Sequence, residues 1–430
     1  MRCGIFIIMK KIIYAITALS FLTLISARTP KKGEAIFDDA DNSQTPVIRP
    51  PENLPEPREI ETSLLCDKSA TENARRLYNY LREMYGKKVI SGQMENAWNA
   101  NCNMLERVYK DTGKYPAIMG FDFMNYTSAY NTGRKQEVER AIKFWNGQDY
   151  KGNKISDKHG IVTFCWHWRD PLAPKGKTGD FYTKNTDFRI PYDTKTNKWD
   201  VSSEAYSAIL EDLDVVAAQL SRLQEAGIPV LWRPLHEAAG NVGSFAGGSA
   251  WFWWGAGNQQ GQTSTNADVC GQSYIALWKL MYNYFTQTKG LHNLIWVWNG
   301  QSQKFYPGSE YVDIIGNDIY ESYLPSAKKS QVYKSNKNKF ERFQSWDTTK
   351  ITALTECGNL PDVSTDGALW SFFMVWNDGE WDSSINGVSK ASGKNNFWSG
   401  DFFNSAEKKK EIYVKNSNVI TLDELPDFTK

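Results

Sequence analysis

"PVLWRPLHE", residues 229–237, opens as an apolar strand and ends in two adjacent ionisable side chains, His236 and Glu237. The stretch before it, residues 203–227, is "SEAYSAILEDLDVVAAQLSRLQEAG". Its apolar positions Ile209, Leu213, Val216, Leu220 and Leu223 step by three and four, which predicts a helix, and Gly227 can close it. A helix therefore feeds a strand whose far end carries chemistry. The fold depends on whether that unit repeats, and it does. Apolar runs recur at 88–93, 117–123, 161–168, 229–237, 293–300, 312–320, 351–358 and 369–377. Several are apolar nearly throughout, as strands buried on both faces of a parallel sheet must be. Helical patterns stand at 71–86, 137–148 and 271–290 as well. Eight strands alternating with helices predict an α/β fold, a (β/α)8 TIM barrel. A doubly wound sheet is the runner-up, but it wants a Gly-rich turn after the first strand, and "SGQMEN" supplies none.

The remaining sequence sets the boundaries. Lys10 and Lys11 precede an apolar run from Ile12 to Ile25, followed by Ser26 and Ala27. That run is short for a membrane span of ~20 residues and reads as a secretory signal, residues 1–27, with Met9 as a plausible start. The mature protein is expected outside the cytoplasm, secreted or periplasmic, with no membrane span. Residues 28–60, with "RPPENLPEPRE", read as a Pro-rich arm or linker. Residues 61–430 carry no second linker and read as one domain, expected to act as a monomer. Fifty basic and 49 acidic side chains leave a net charge of +1. That balance gives no electrostatic case for nucleic acid. Beyond Cys3, the cysteines at 66, 102, 165, 270 and 357 are odd in number and form no disulfide framework, although a Cys66–Cys102 bridge is compatible with export. "HEAAG" lacks the second histidine of a helical zinc motif, so no metal and no cofactor is expected.

In a barrel the catalytic side chains gather at the C-terminal ends of the strands. Those ends present Gln93; Asp122; His167 and Trp168; His236 and Glu237; Trp298 and Asn299; Asp318 and Tyr320; Glu356; Trp376 and Asn377. Two are glutamates, closing the fourth and seventh runs, and a barrel brings them across one mouth. Paired carboxyls across a cleft are what glycoside hydrolysis requires: one protonated to donate to the leaving oxygen, one ionised to attack or to activate water. The rings of "WFWWG", residues 251–255, suit the apolar faces of sugars. Four rings cannot all face one sugar, so Phe252 and Trp253 or Trp254 are expected to fill the loop.

"WRPLHE" followed by "WFWWG" resembles the signature of glycoside hydrolase family 26. "TFCWHW", "DIIGNDIY", "ALTECG" and "FFMVWN" fall in that family's order, so the resemblance spans residues from about 60 to 425. It implies a (β/α)8 barrel and a retaining endo-β-1,4-mannanase acting on mannan, glucomannan or galactomannan. By resemblance Glu237 is the acid/base and Glu356 the nucleophile. His236 and Tyr320 match hydrogen-bond partners of the nucleophile, and His167 matches a histidine of the sugar site nearest the scissile bond. Trp251 matches the tryptophan flooring that site, while Trp298 and Trp376, at strand ends, are expected to line the cleft. Here Trp251 stands farther beyond Glu237 than in the compact family form. The inserted "NVGSFAGGS" is expected to lie over one end of the cleft. The alternatives are a β-1,3-1,4-glucanase or β-1,3-xylanase on the same scaffold, and a barrel that binds polysaccharide without cutting it.

Overall fold

The computed structural model describes residues 64–96, 102–130, 136–242, 248–320, 335–379, 396–400 and 403–430. The signal and the Pro-rich arm lie outside these residues, as does the centre of the insertion, 243–247. Eight parallel strands close into a barrel: β1 Gly92–Met94, β2 Ile118–Asp122, β3 Ile161–Trp166, β4 Val230–Pro234, β5 Leu294–Trp298, β6 Ile314–Ile319, β7 Ile351–Cys357 and β8 Phe373–Val375. They neighbour one another in chain order, and β8 returns to β1 through Val375 opposite Gln93. Every residue of β2, β3, β4, β5 and β7 is buried. Interior side chains fill the barrel and helices cover its outside, which is why these strands read as apolar runs.

Seven helices accompany the strands: α1 Glu72–Met84, α2 Met104–Thr112, α3 Glu137–Trp145, α4 Glu204–Glu225, α5 Ala267–Asn283, α6 Lys337–Gln344 and α7 Ala406–Lys410. The Ser203 side chain caps α4 by accepting from the Tyr206 N–H at 3.1 Å, and Gly227 follows its end at a φ of 72°. The 71–86, 137–148 and 203–227 patterns become α1, α3 and α4. The 271–290 pattern becomes α5, which begins earlier and ends in a π turn, Tyr284–Thr288. Helices α2, α6 and α7 lie outside the helical patterns read from the sequence, although Asn103 caps α2 and Gly113 closes it.

Strict alternation does not hold. Only two short 3-10 turns, Gln303–Phe305 and Ser309–Tyr311, join β5 to β6, and residues 358–372 join β7 to β8 without a helix. The run 88–93 also divides. Val89–Ile90 leaves the barrel to pair with Val419–Ile420 near the C-terminus, and the barrel strand starts at Gly92. A Cβ on Gly92 would lie 2.5 Å from the Phe373 carbonyl oxygen, so glycine lets β1 approach β8. Cys66 and Cys102 are both free thiols. The Cys102 Sγ donates to Glu95 at 3.1 Å, and the Cys66 N–H donates to Asp313 at 2.6 Å, so the bridge compatible with export is not formed. No described helix is long and apolar enough to cross a membrane.

Candidate active site

The polar side chains converge where β2 to β8 end. Strand β6 pairs with β7 along their whole length, but the register shifts between Leu354 and Glu356. The extra residue is a bulge, which re-aims the side chains after it. In consequence Glu356 stands directly opposite Asp318, while Thr355 also reaches the polar interior, donating from Oγ1 to Asp318 at 2.7 Å.

Arg233, inside β4, ties this end together. Its Nη2 donates to Glu356 Oε1 at 2.5 Å and its Nη1 to Asp318 Oδ2 at 3.3 Å, with the guanidinium side chain only 5% exposed. Tyr320 donates its hydroxyl to Glu356 Oε2 at 2.7 Å. Both Glu356 oxygens thus accept from donors, which fixes the orientation of the carboxyl group. Burial opposes the charge on Arg233, but Glu356 and Asp318 outweigh it and raise the guanidinium pKa further. Asp318 also accepts from Asn299 Nδ2 at 2.7 Å.

Glu237 lies just past β4 in a strained turn. Leu235 has φ 51° and Glu237 φ 52°, left-handed values that cost non-glycine residues about 1–3 kcal/mol each. The surroundings impose the turn. The Glu237 N–H donates to the Asn299 carbonyl at 2.7 Å, and Ala239 N–H to that of Gly300 at 3.0 Å. Trp254 Nε1 donates to the His236 carbonyl at 2.8 Å. Gly255 fits beneath Ala238, where a Cβ would meet the carbonyl oxygen at 1.7 Å.

One oxygen each of Glu237, Asp318 and Glu356 lies within 4.8 Å of the others. Three carboxyls and one guanidinium cannot all be charged at that spacing without large cost. Although Glu237 is only partly shielded from water, the protein packed around it drives its pKa well above the ordinary carboxyl range, with Asp318 and Glu356 adding to the rise and Arg233 offsetting little of it. Burial, and then Glu356, push Asp318 up to about 7. The crowded carboxyls thus share a single cation, and burial with mutual repulsion raises both Glu237 and Asp318.

A second chain of contacts runs along the other wall. Asp122 accepts from His167 twice, from the backbone N–H at 3.0 Å and from ring Nδ1 at 2.6 Å. His167 Nε2 then meets His236 Nε2 at 3.1 Å. Burial, His167 and Arg233 depress the His236 pKa well below the usual imidazole value, so His236 is neutral. Phe181, Phe252 and Trp376 surround the His167 ring at centroid distances of 5.0, 5.6 and 5.9 Å.

The fold brings together six of the residues singled out from sequence: Glu237, Glu356, Tyr320, His167, His236 and Trp376. Trp251 follows closely, its indole lying over Gly240, where a Cβ would come within 2.2 Å. Trp253 and Trp254 are fully buried and fill the loop, and Phe252 is nearly so. Two expectations change. His236 contacts His167 and not Glu356; Arg233 occupies the place expected for it. Trp298 does not line the cleft. It is 0% exposed, donates Nε1 to the Phe305 carbonyl at 3.1 Å and packs against Tyr306 and Trp346. Side chains alternate along a strand. Asn299 points inward to Asp318, so Trp298 points out. The sequence census included Asp318 and Asn299 without assigning them roles, and it passed over Arg233. The signal was an arginine inside an apolar run, since buried charges are paired.

Residues 66–401 match the model of glycosyl hydrolase family 26. A mannan endo-1,4-beta-mannosidase of Thermothelomyces thermophilus is 33% identical over 87% of this chain and 65% of its own length. Mannan endo-1,4-beta-mannosidase B of a Piromyces species is 32% identical over 85% of this chain and 54% of its own. The chain thus spans between half and two thirds of these curated relatives. Among solved structures, a Podospora anserina GH26-CBM35 β-(1,4)-mannanase superimposes with a TM-score of 0.65 at 31% identity, covering 88% of this chain and 72% of that one. A β-mannanase from a symbiotic protist of the termite Reticulitermes speratus, complexed with gluco-manno-oligosaccharide, gives 0.62 at 30% identity, covering 86% and 99%. With the family model matched from Cys66 to Asp401 over a barrel of the same architecture, the chain belongs to glycosyl hydrolase family 26.

Proposed function

We propose that the chain is a retaining endo-β-1,4-mannanase working by double displacement. The observation that carries this reading is the Glu237–Glu356 pair. Their nearest oxygens lie within 4.8 Å, and burial with the neighbouring carboxyls holds the Glu237 pKa well above the ordinary carboxyl range. Retaining glycosidases hold the two carboxyls ~5–5.5 Å apart, inverting ones ~6.5–9.5 Å. A water cannot be accommodated behind the sugar at the shorter separation, so the carboxylate itself attacks.

In the first step Glu356 bonds to the anomeric carbon while Glu237 gives its proton to the departing glycosidic oxygen. Esterification removes the charge of Glu356. That charge is one of the causes holding the Glu237 pKa up, so the pKa falls as the intermediate forms. Glu237 is then suited to take a proton from water, which attacks the same carbon and releases Glu356. The site thus drives its own exchange of roles. Arg233 and Tyr320 orient Glu356 through both oxygens, and the aromatic rings near His167 offer apolar faces to the sugar.

The substrate class rests on the names of the relatives. Proton NMR of products in the first minutes of mannohexaose cleavage tests the mechanism. The β-anomer is expected first, and initial α-anomer overturns retention. Product sizes from glucomannan, galactomannan, lichenan and xylan test the substrate, with mannan-type chains expected to be cut internally. We also propose export after cleavage following Ala27, which the N-terminal mass of the mature protein tests.

A further inference from the structure

Two tyrosines are more than two-fifths exposed among the described residues. Tyr182, 41% exposed, stacks on Phe252 beside the catalytic mouth. Tyr109, 44% exposed, sits at the opposite end of the barrel. It closes the last turn of α2 and stacks on Tyr115, with centroids 4.3 Å apart and planes 11° apart. The two rings border a cavity of about 350 Å³ that Lys114, Lys154, Ser156 and Asp423 also line. Residues 113–115 lead into β2 and residues 154–156 precede β3, so the cavity opens at the N-terminal ends of the strands. Catalytic groups of a barrel lie at the other end.

The chemistry of this cavity is mixed but neutral. Lys114 pairs with Asp423 at 2.5 Å and Lys154 with Asp157 at 2.6 Å, so each cation has its own acid. These pairs leave neither sign of charge in clear excess for an ionic ligand to select. The Tyr115 hydroxyl contacts Glu106 at 3.3 Å, fixing its ring. Gly113, at φ 76°, has no heavy atom within 4 Å of where a Cβ would stand, so the floor is open. An aromatic face bordered by lysines, a serine hydroxyl and a carboxylate matches a pyranose, which has an apolar C–H face and a rim of hydroxyls. The volume lies within the range of small-ligand pockets, ~300–1,000 Å³.

We propose that this cavity is a second carbohydrate site, binding a stretch of β-mannan other than the one in the catalytic mouth. The ligand class rests on the mannanase reading above. A polymer held at the far end raises the local concentration of chain at the mouth without touching the reacting bond. The site should therefore matter for polymers and not for short oligosaccharides.

The test uses the full chain. In the active protein, Tyr109→Ala is expected to raise KM for glucomannan threefold or more and to leave kcat/KM on mannotetraose within twofold. In the Glu356→Ala background, which digests no substrate, the added Tyr109→Ala change is expected to reduce retardation in native gels containing glucomannan at least twofold. Lys154→Ala, at an exposed position that does not threaten folding, should shift retardation in the same direction. Equal retardation with and without Tyr109, or equal losses on polymer and tetraose, would overturn the second site. If the active protein cuts no mannan, the mannanase reading fails. A Tyr109-dependent difference on a lichenan gel would then overturn only the ligand assigned to the cavity.

Discussion

Asp318 and Glu356 are register partners across the β6–β7 ladder, and both depend on the guanidinium of Arg233. Two carboxyls and one cation in a buried site form an unbalanced set, and the imbalance is passed on to Glu237. Asp318 is therefore more than a spectator, because its charge helps to hold the Glu237 pKa up.

Replacing Asp318 by Asn should lower the Glu237 pKa. An acid that must be protonated to work loses activity as pH rises through its pKa. The alkaline limb of kcat/KM should therefore move to lower pH in Asp318→Asn. A pH–rate profile on mannohexaose checks this, and an unmoved limb would separate Asp318 from the acid.

Arg233→Met should leave Asp318 and Glu356 buried without their cation. Breaking a buried pair in this way costs about 3–5 kcal/mol. The loss should be smaller at acid pH, where the carboxyls can take up protons. Arg233→Lys keeps a charge but loses the fork that reaches both carboxylates, so kcat should still fall at least tenfold. Thermal unfolding at pH 5 and pH 8, with kcat for both variants, reads these outcomes.

Trp298→Phe should behave as a core change. The indole loses its bond to the Phe305 carbonyl and part of its packing, and Tm should drop by several degrees, equivalent to about 1–3 kcal/mol. KM for mannooligosaccharides should stay within twofold. A large rise in KM at unchanged Tm would return Trp298 to the cleft.

Stability should decline from mildly acid to neutral pH through two buried carboxyls away from the site. Burial raises Glu137 to about 7 and Asp212 to about 7. A carboxyl raised on folding binds its proton more tightly in the folded state. Its contribution is full below the unfolded value and is lost as pH rises through the folded one. Each group should thus contribute most near pH 4 and little above pH 7. Asp212 accepts from Trp168 Nε1 at 2.7 Å and from the Ser128 N–H at 2.6 Å. Asp212→Asn should flatten the dependence of Tm on pH across that window, as calorimetry at unit pH steps would show.

The barrel was legible because strands buried on both faces leave apolar runs that stand out in the chain itself. Their ends were less legible. Gly92 separates the barrel part of its run from the outer pair only because Phe373 lies against it, a contact made across the whole chain. Glu237 and Glu356 were legible as acids closing apolar runs. The role of Asp318 was not, because it depends on the register shift before Glu356, and no local pattern announces which strand will bulge; Arg233 was marked only as a charge inside an apolar run, with nothing local to name its partners. Trp298 misled for a related reason. A strand end gives proximity to the mouth, but the parity of the strand decides which way the ring turns.

The turn beyond Glu237 is fastened on both sides of the inserted segment. Gly240 lies under the Trp251 indole, and Trp254 holds the His236 carbonyl. The chain between these anchors starts and finishes at fixed points. Closing a loop twice as long costs only about 0.6 kcal/mol more. Segments of different length can therefore be grafted between Asn241 and Ala250, while Glu237 keeps its position.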